Sequence, residues 1–74
     1  MLFLSGYKAD LTLNELQDKM KTELIGNEDY AQIEKITAGR KGTVVLHFLD
    51  QTFITAFKKK YADKEFQGGN IRLA

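Results

Sequence analysis

The segment Arg40-Lys41-Gly42-Thr43-Val44-Val45-Leu46-His47-Phe48 constrains the fold more than any other stretch of this chain. A basic turn containing a glycine runs into a strand with two unlike sides. Side chains alternate across a strand, so Val44, Leu46 and Phe48 point one way and Thr43, Val45 and His47 the other. The first set belongs in a core. The second faces outward, and whatever the domain touches lies there or beside it.

The flanking segments supply partners for that strand. Leu2 to Ser5 reads as a first strand ended by Gly6, and Lys8 to Leu11 as a loop. Thr12 followed by Glu15 is a capping box, in which the hydroxyl accepts from a free amide of the first turn and the carboxylate reaches back. Leu13, Leu16, Met20 and Leu24 then form one helical stripe, stopped at Gly26-Asn27. Tyr30 to Ile36 is expected as the second strand, with Ala31 and Ile33 toward the core. Strict alternation would then bury Lys35 and expose Ile36, which a bulge or a twisted strand end would resolve. Thr37 to Gly42 reads as a polar turn and Thr43 to Leu49 as the third strand. Asp50 is the expected cap of a second helix, with Phe53, Ala56, Phe57 and Tyr61 or the stem of Lys60 on its inner face. Gly68-Gly69 signals a turn. Asn70 to Ala74 completes the chain as a short strand, with Ile71 and Leu73 inward and Asn70 and Arg72 outward.

The order is β-α-β-β-α-β. Two right-handed βαβ units fold together when four antiparallel strands share one sheet and both helices cover one face. The predicted class is therefore α+β, a ferredoxin-like βαββαβ sandwich. One apolar stripe per helix suits burial on one side only and leaves the other sheet face open. With the first and third strands central, Phe3 and Ser5 lie beside Thr43, Val45 and His47.

Composition narrows the function classes. A chain of 74 residues makes a single domain spanning 1–74, with a small core. It has no cysteine and a single histidine, so disulfides, thiolate metal sites and a histidine-built zinc site are not expected. The absence of cysteine fits an intracellular protein. Eleven basic residues against ten acidic ones fall short of the excess that grips nucleic acid by charge alone. No apolar run approaches ~20 residues, so no membrane span is expected. Met1-Leu2-Phe3-Leu4 is shorter than the roughly 7–15 residues of a secretory apolar region. The carboxylates are scattered over caps, helix surfaces and loops, with no acid–base pair in a cleft, and no enzyme activity is expected. Gly39-Arg40-Lys41-Gly42 leads into a strand, whereas a phosphate-binding loop leads into a helix. No cofactor is implied.

Two segments resemble signatures of the RNA recognition motif (RRM) family, whose nucleotide-binding αβ plait would cover the whole chain. Leu2-Phe3-Leu4-Ser5-Gly6-Tyr7 is similar to the family's first-strand hexamer. Lys41-Gly42-Thr43-Val44-Val45-Leu46-His47-Phe48 is similar to its third-strand octamer, the other ribonucleoprotein (RNP) motif. The Lys64-Glu65-Phe66-Gln67-Gly68 ending and the aromatic-poor third strand look most like the RRM subgroup of the FUS and EWS proteins, without that group's long basic insertion in the helix–strand loop. The resemblance implies single-stranded RNA as partner, a role in RNA processing and a nuclear setting. It also marks a departure. Thr43 and Val45 occupy the two octamer positions that carry stacking aromatics in the family, so only Phe3 remains of the usual trio. Stacking is worth about 1–3 kcal/mol per base, so losing two platforms costs roughly two to four decades of affinity.

The candidate RNA-binding residues are Phe3, Ser5, Tyr7, Lys8, Arg40, Lys41, Thr43, Val45, His47, Asn70 and Arg72. Phe3 is expected to stack one base. The competing reading makes it a partly covered aromatic that supports a thin domain. Tyr7 lies under a base or over the following loop. His47 and Asn70 offer contacts to base edges, and His47 equally fits an ordinary cross-strand neighbour. Arg40, Lys41, Arg72 and Lys8 form a basic rim for the backbone, with Lys35 near the same face. Lys58-Lys59-Lys60 fans out on a helix and reads as a solvated surface. Thr43 and Val45 offer a β-branched patch, so the alternative is a protein partner on the sheet face or on the helical surface. An acylphosphatase-like enzyme of the same layout would need an arginine after the first strand, and Gly6-Tyr7-Lys8-Ala9-Asp10 has none.

Overall fold

The computed structural model describes every residue except Ala9 and Lys41. Strand β1 is Leu2–Ser5. Helix α1, Leu13–Lys19, runs directly into a π-helical turn at Met20–Leu24, and a short helix α2 follows at Asn27–Tyr30. Strands β2 (Ile33–Ala38) and β3 (Thr43–Phe48) form a hairpin that leads to helix α3, Thr52–Tyr61. Three two-residue strands close the chain: β4 (Glu65–Phe66), β5 (Gly69–Asn70) and β6 (Arg72–Leu73).

The main sheet has four strands in the order β2-β3-β1-β6, all antiparallel to their neighbours. With α1 and α3 packed on one face, this is a ferredoxin-like βαββαβ sandwich. Alternation explains the layering. Leu2 and Leu4 of β1, Val44 and Leu46 of β3 and Ile36 of β2 are buried on one side. Leu16 and Met20 from α1 and its π turn, and Phe57 and Tyr61 from α3, meet them there. Phe57 ties the helix to the sheet, edge-on to Phe48 at 5.0 Å between centroids and 4.6 Å from the Tyr61 ring.

The capping box at Thr12 forms in both directions: the Glu15 amide donates to Thr12 Oγ1 at 3.3 Å and the Thr12 amide to Glu15 Oε1 at 3.2 Å. The Thr12 amide, and with it the Thr12 hydroxyl donating to the same Oε1 at 2.9 Å, hold the Glu15 carboxyl below the usual glutamate range. The π turn closes when the Ile25 amide donates to the Met20 carbonyl at 2.8 Å. Its extra residue changes the helical phase, and Ile25 leaves in an extended conformation with its side chain buried. Of a bulge and a twisted strand end, β2 adopts the bulge: Ile33 opposes Phe48 and Lys35 opposes His47, leaving Glu34 as the additional residue. Ile36 is accordingly buried and Lys35 exposed.

Several boundaries differ from expectation. The second strand begins at Ile33 instead of Tyr30, because Gly26 opens a new helical turn whose acidic start, Glu28 and Asp29, suits a helix N-terminus. Ala31 is therefore exposed at the end of that turn rather than in the core. Thr37 and Ala38 belong to β2, which shortens the turn, and β3 ends at Phe48. On α3, Ala56 is exposed, and Ile54 is half-buried against the core. Asp50 does accept from the Thr52 amide at 2.9 Å, although the residue at the helix cap position is Gln51. The final segment is not one strand. Gln67 and Gly68, both with positive φ, form a two-residue turn between β4 and β5, and β6 pairs with β1 through Arg72–Leu73, with Ala74 bonded beyond it to Phe3.

Candidate nucleic-acid interface

The strand registers lay out the face that the helices leave bare. Phe3 pairs with Val45, Val45 pairs with Thr37, and the Phe3 amide and carbonyl exchange hydrogen bonds with Ala74 at 2.8 and 2.9 Å. This central row reads Thr37–Val45–Phe3–Ala74. On one side lies Thr43–Ser5–Arg72, with Gly39 bonded to the Thr43 carbonyl. On the other lies Lys35 opposite His47. Phe3 is 48% exposed although it sits in a central strand between two fully buried leucines.

An open concavity of about 540 Å³ occupies the middle of this face. Phe3, Ser5, Thr43 and Val45 form its floor, with Gly39 and Arg40 from the β2–β3 turn on one side and Ala74 on another. The turn is closed by the Thr43 amide donating to the Arg40 carbonyl at 2.8 Å, with Gly42 at φ 80°. That conformation suits glycine and costs other residues roughly 1–2 kcal/mol. The lining is mostly apolar, and among the described residues Arg40 is its cation.

The remaining candidates divide. Arg72 is exposed and opposes Ser5, beside the concavity. His47 is half-buried, and its Nε2 lies 3.0 Å from Thr37 Oγ1. Tyr7 is turned away: the left-handed backbone at Gly6 (φ 98°) breaks the alternation, and the Tyr7 ring meets Phe66 edge-on at 6.4 Å. Partial burial pushes its hydroxyl pKa up. Lys8 is exposed but runs along the β4–β5 hairpin, its amide donating to the Gln67 carbonyl at 3.1 Å. Asn70 opposes Glu65 in that hairpin and has no partner in the main sheet, which corrects its expected place in a last strand beside β1. Lys41 lies outside the described residues.

Thr37, Gly39 and Ala74 reach the face unannounced. The sequence pattern puts Thr37 in a polar turn, and a pairing partner ten positions away leaves no local signal.

Charge on this face differs from charge on the whole chain. The four-stranded sheet contains a single acidic residue, Glu34, at the bulge of an edge strand. Lys35, Arg40 and Arg72 stand around the central row. The large apolar side chains that remain exposed are Phe3 within β1, Met1 immediately before β1 (69%) and Leu49 immediately after β3 (63%). Among the described residues, no group of three or more histidines or carboxylates could hold a metal ion, and no helix is long and apolar enough to cross a membrane. No protein-family model matches the chain, and no curated protein shows significant similarity to it.

Proposed function

We propose that the chain is a non-enzymatic module of RRM type that binds single-stranded RNA weakly on its open sheet face. One observation carries the reading: a half-exposed aromatic ring in a central strand, on a face almost free of carboxylates and edged by Lys35, Arg40 and Arg72. A flat ring with nearby cations suits a base and its phosphates, whereas the helical side mixes both charges. One base stacks on Phe3 in the concavity. Arg40 takes a phosphate on the turn side, Arg72 on the β6 side, and Lys35 at the far end of β2. With a single platform the affinity is about micromolar or poorer, and specificity is modest. Participation in RNA processing, in the nucleus, is part of the same proposal.

The test is an NMR titration with short mixed-sequence RNA at two salt concentrations. Shifts should concentrate on β1 and β3. Three phosphate contacts predict a log–log salt slope of about −2 for a single strand. Phe3→Ala should weaken binding about 5- to 100-fold. Unchanged titration of Phe3→Ala would rule out stacking. A protein partner is the second reading, supported by Thr43 and Val45 on the floor and by exposed Leu49. It gains if RNA leaves β1 and β3 unshifted at low salt.

A further inference from the structure

We infer that Thr37 and His47 form a reader of base edges on the open face, Thr37 holding the imidazole so that Nδ1–H is offered to a keto base. This rests on the RNA reading above and adds a specificity determinant to it.

Position comes first. Phe3 directly opposes Val45, and His47 is two residues along the same strand. His47 is therefore the diagonal neighbour of Phe3, at a typical separation of ~7–8 Å. A base stacked on Phe3 brings its edge within one side chain's reach of the imidazole.

The Thr37–His47 hydrogen bond is coupled to the tautomer. Thr37 Oγ1 and His47 Nε2 are 3.0 Å apart, and either group can donate. When Nε2–H donates, the half-buried Thr37 hydroxyl turns its own proton to solvent. When the hydroxyl donates to Nε2, the ring proton resides on Nδ1, and this is the arrangement inferred for the edge reader. No buried side-chain nitrogen or oxygen lacks a partner among the described residues, and Nδ1 has no protein partner there, so it reaches solvent.

The surroundings sharpen the choice. Lys35 opposes His47 across the strand pair, and an ammonium only donates. A base edge arriving here meets two donors. A carbonyl such as uracil O4 or guanine O6 matches them, whereas the amino group of cytosine or adenine faces donors with no acceptor. Uracil and cytosine have nearly the same shape, so comparing them isolates this term.

The experiment has two arms. Long-range ¹H–¹⁵N correlation spectra of the free protein in mildly alkaline buffer should show protonated Nδ1 and bare Nε2 on His47. A dominant Nε2–H tautomer would overturn the inference without any RNA being present. In the binding arm, oligouridine should bind about threefold to tenfold tighter than oligocytidine of equal length. Thr37→Ser should keep that ratio. Thr37→Val, which preserves shape and removes the hydroxyl, should bring it close to unity while binding through Phe3 persists. A ratio near unity in the unmodified chain, or one untouched by Thr37→Val, defeats the edge reader and leaves stacking intact. If neither oligomer binds, the RNA proposal and the edge reader fall together, whereas the tautomer spectrum reports on the Thr37–His47 bond regardless.

Discussion

The two faces of the same sheet are built from alternate residues of the same strands, yet they have opposite characters. On the helix side, Leu2, Leu4, Val44 and Leu46 are sealed beneath Leu16, Met20, Phe57 and Tyr61. On the other, Phe3, Ser5, Thr43, Val45 and His47 meet solvent to varying degrees. A shift of one position exchanges the sets, so the buried leucines fix the register and thereby place Phe3. The core positions and those of the proposed binding face thus interleave along the same strands.

The largest effect should come from crossing that divide within β3. Leu46→Ala empties a fully buried site and should cost about 2–5 kcal/mol in a urea melt. Its half-exposed neighbour Val45→Ala should cost under about 1.5 kcal/mol. Equal losses would break the contrast between the faces.

Gly6 is where alternation stops. A Cβ there would collide with the Asn70 carbonyl oxygen, and a Cβ at Gly69 would collide with the Gly6 carbonyl oxygen, so the two glycines let backbone pack on backbone. Gly6→Ala combines that clash with φ 98° and should cost about 1–3 kcal/mol, with amide shifts at the β4–β5 hairpin. Retention of full stability would mean that the hairpin docks loosely.

Each face also has a polar link, and these should differ in acid. On the helix side the Tyr61 hydroxyl donates to Asp29 Oδ2 and accepts from the Gly26 amide, while Lys60 Nζ reaches the same carboxylate at 2.7 Å. The Lys60 and Tyr61 bonds hold the Asp29 carboxyl below the usual aspartate range. A depressed carboxyl pKa stabilises the fold fully above the ordinary aspartate value, and this contribution disappears as pH falls through the folded value. Tyr61→Phe should cost about 0.5–1.5 kcal/mol near neutrality and flatten the acid limb of the stability curve. Thr37→Val on the open face should leave the Asp29 carboxyl pKa depressed as before. The smallest effect is a gain: Asp63 holds φ 62° just after α3, and Asp63→Gly should add about 0.5–1 kcal/mol, read as a raised melting temperature.

Regular, two-sided segments were legible in the chain. Thr43–Phe48 alternates cleanly, Thr12 and Glu15 announce a helix start, and the conflict between Lys35 and Ile36 marks β2 as irregular without saying whether a bulge or a twisted end relieves it. Segments whose structure depends on distant partners were not. Tyr30 has strand-like chemistry but ends a helical turn, since Asp29 is held there by Lys60 and Tyr61 of α3. Asn70 shares a run with Arg72, yet the turn at Gln67–Gly68 folds it back on Glu65. The site shows the same division. Phe3, Thr43 and Val45 follow from strand parity, whereas Thr37 enters through a cross-strand bond and Tyr7 leaves through the conformation of one glycine.

The extra residue in β2 has a consequence for crowded solutions. An uncovered sheet invites another molecule to extend it sideways, and the outer margin of β2 is where a stranger's backbone could attach. The kink at Glu34, flanked by the Lys35 charge, interrupts the even ladder of free amides and carbonyls that such stitching needs. The domain can leave a broad surface unprotected and still resist growing into fibres.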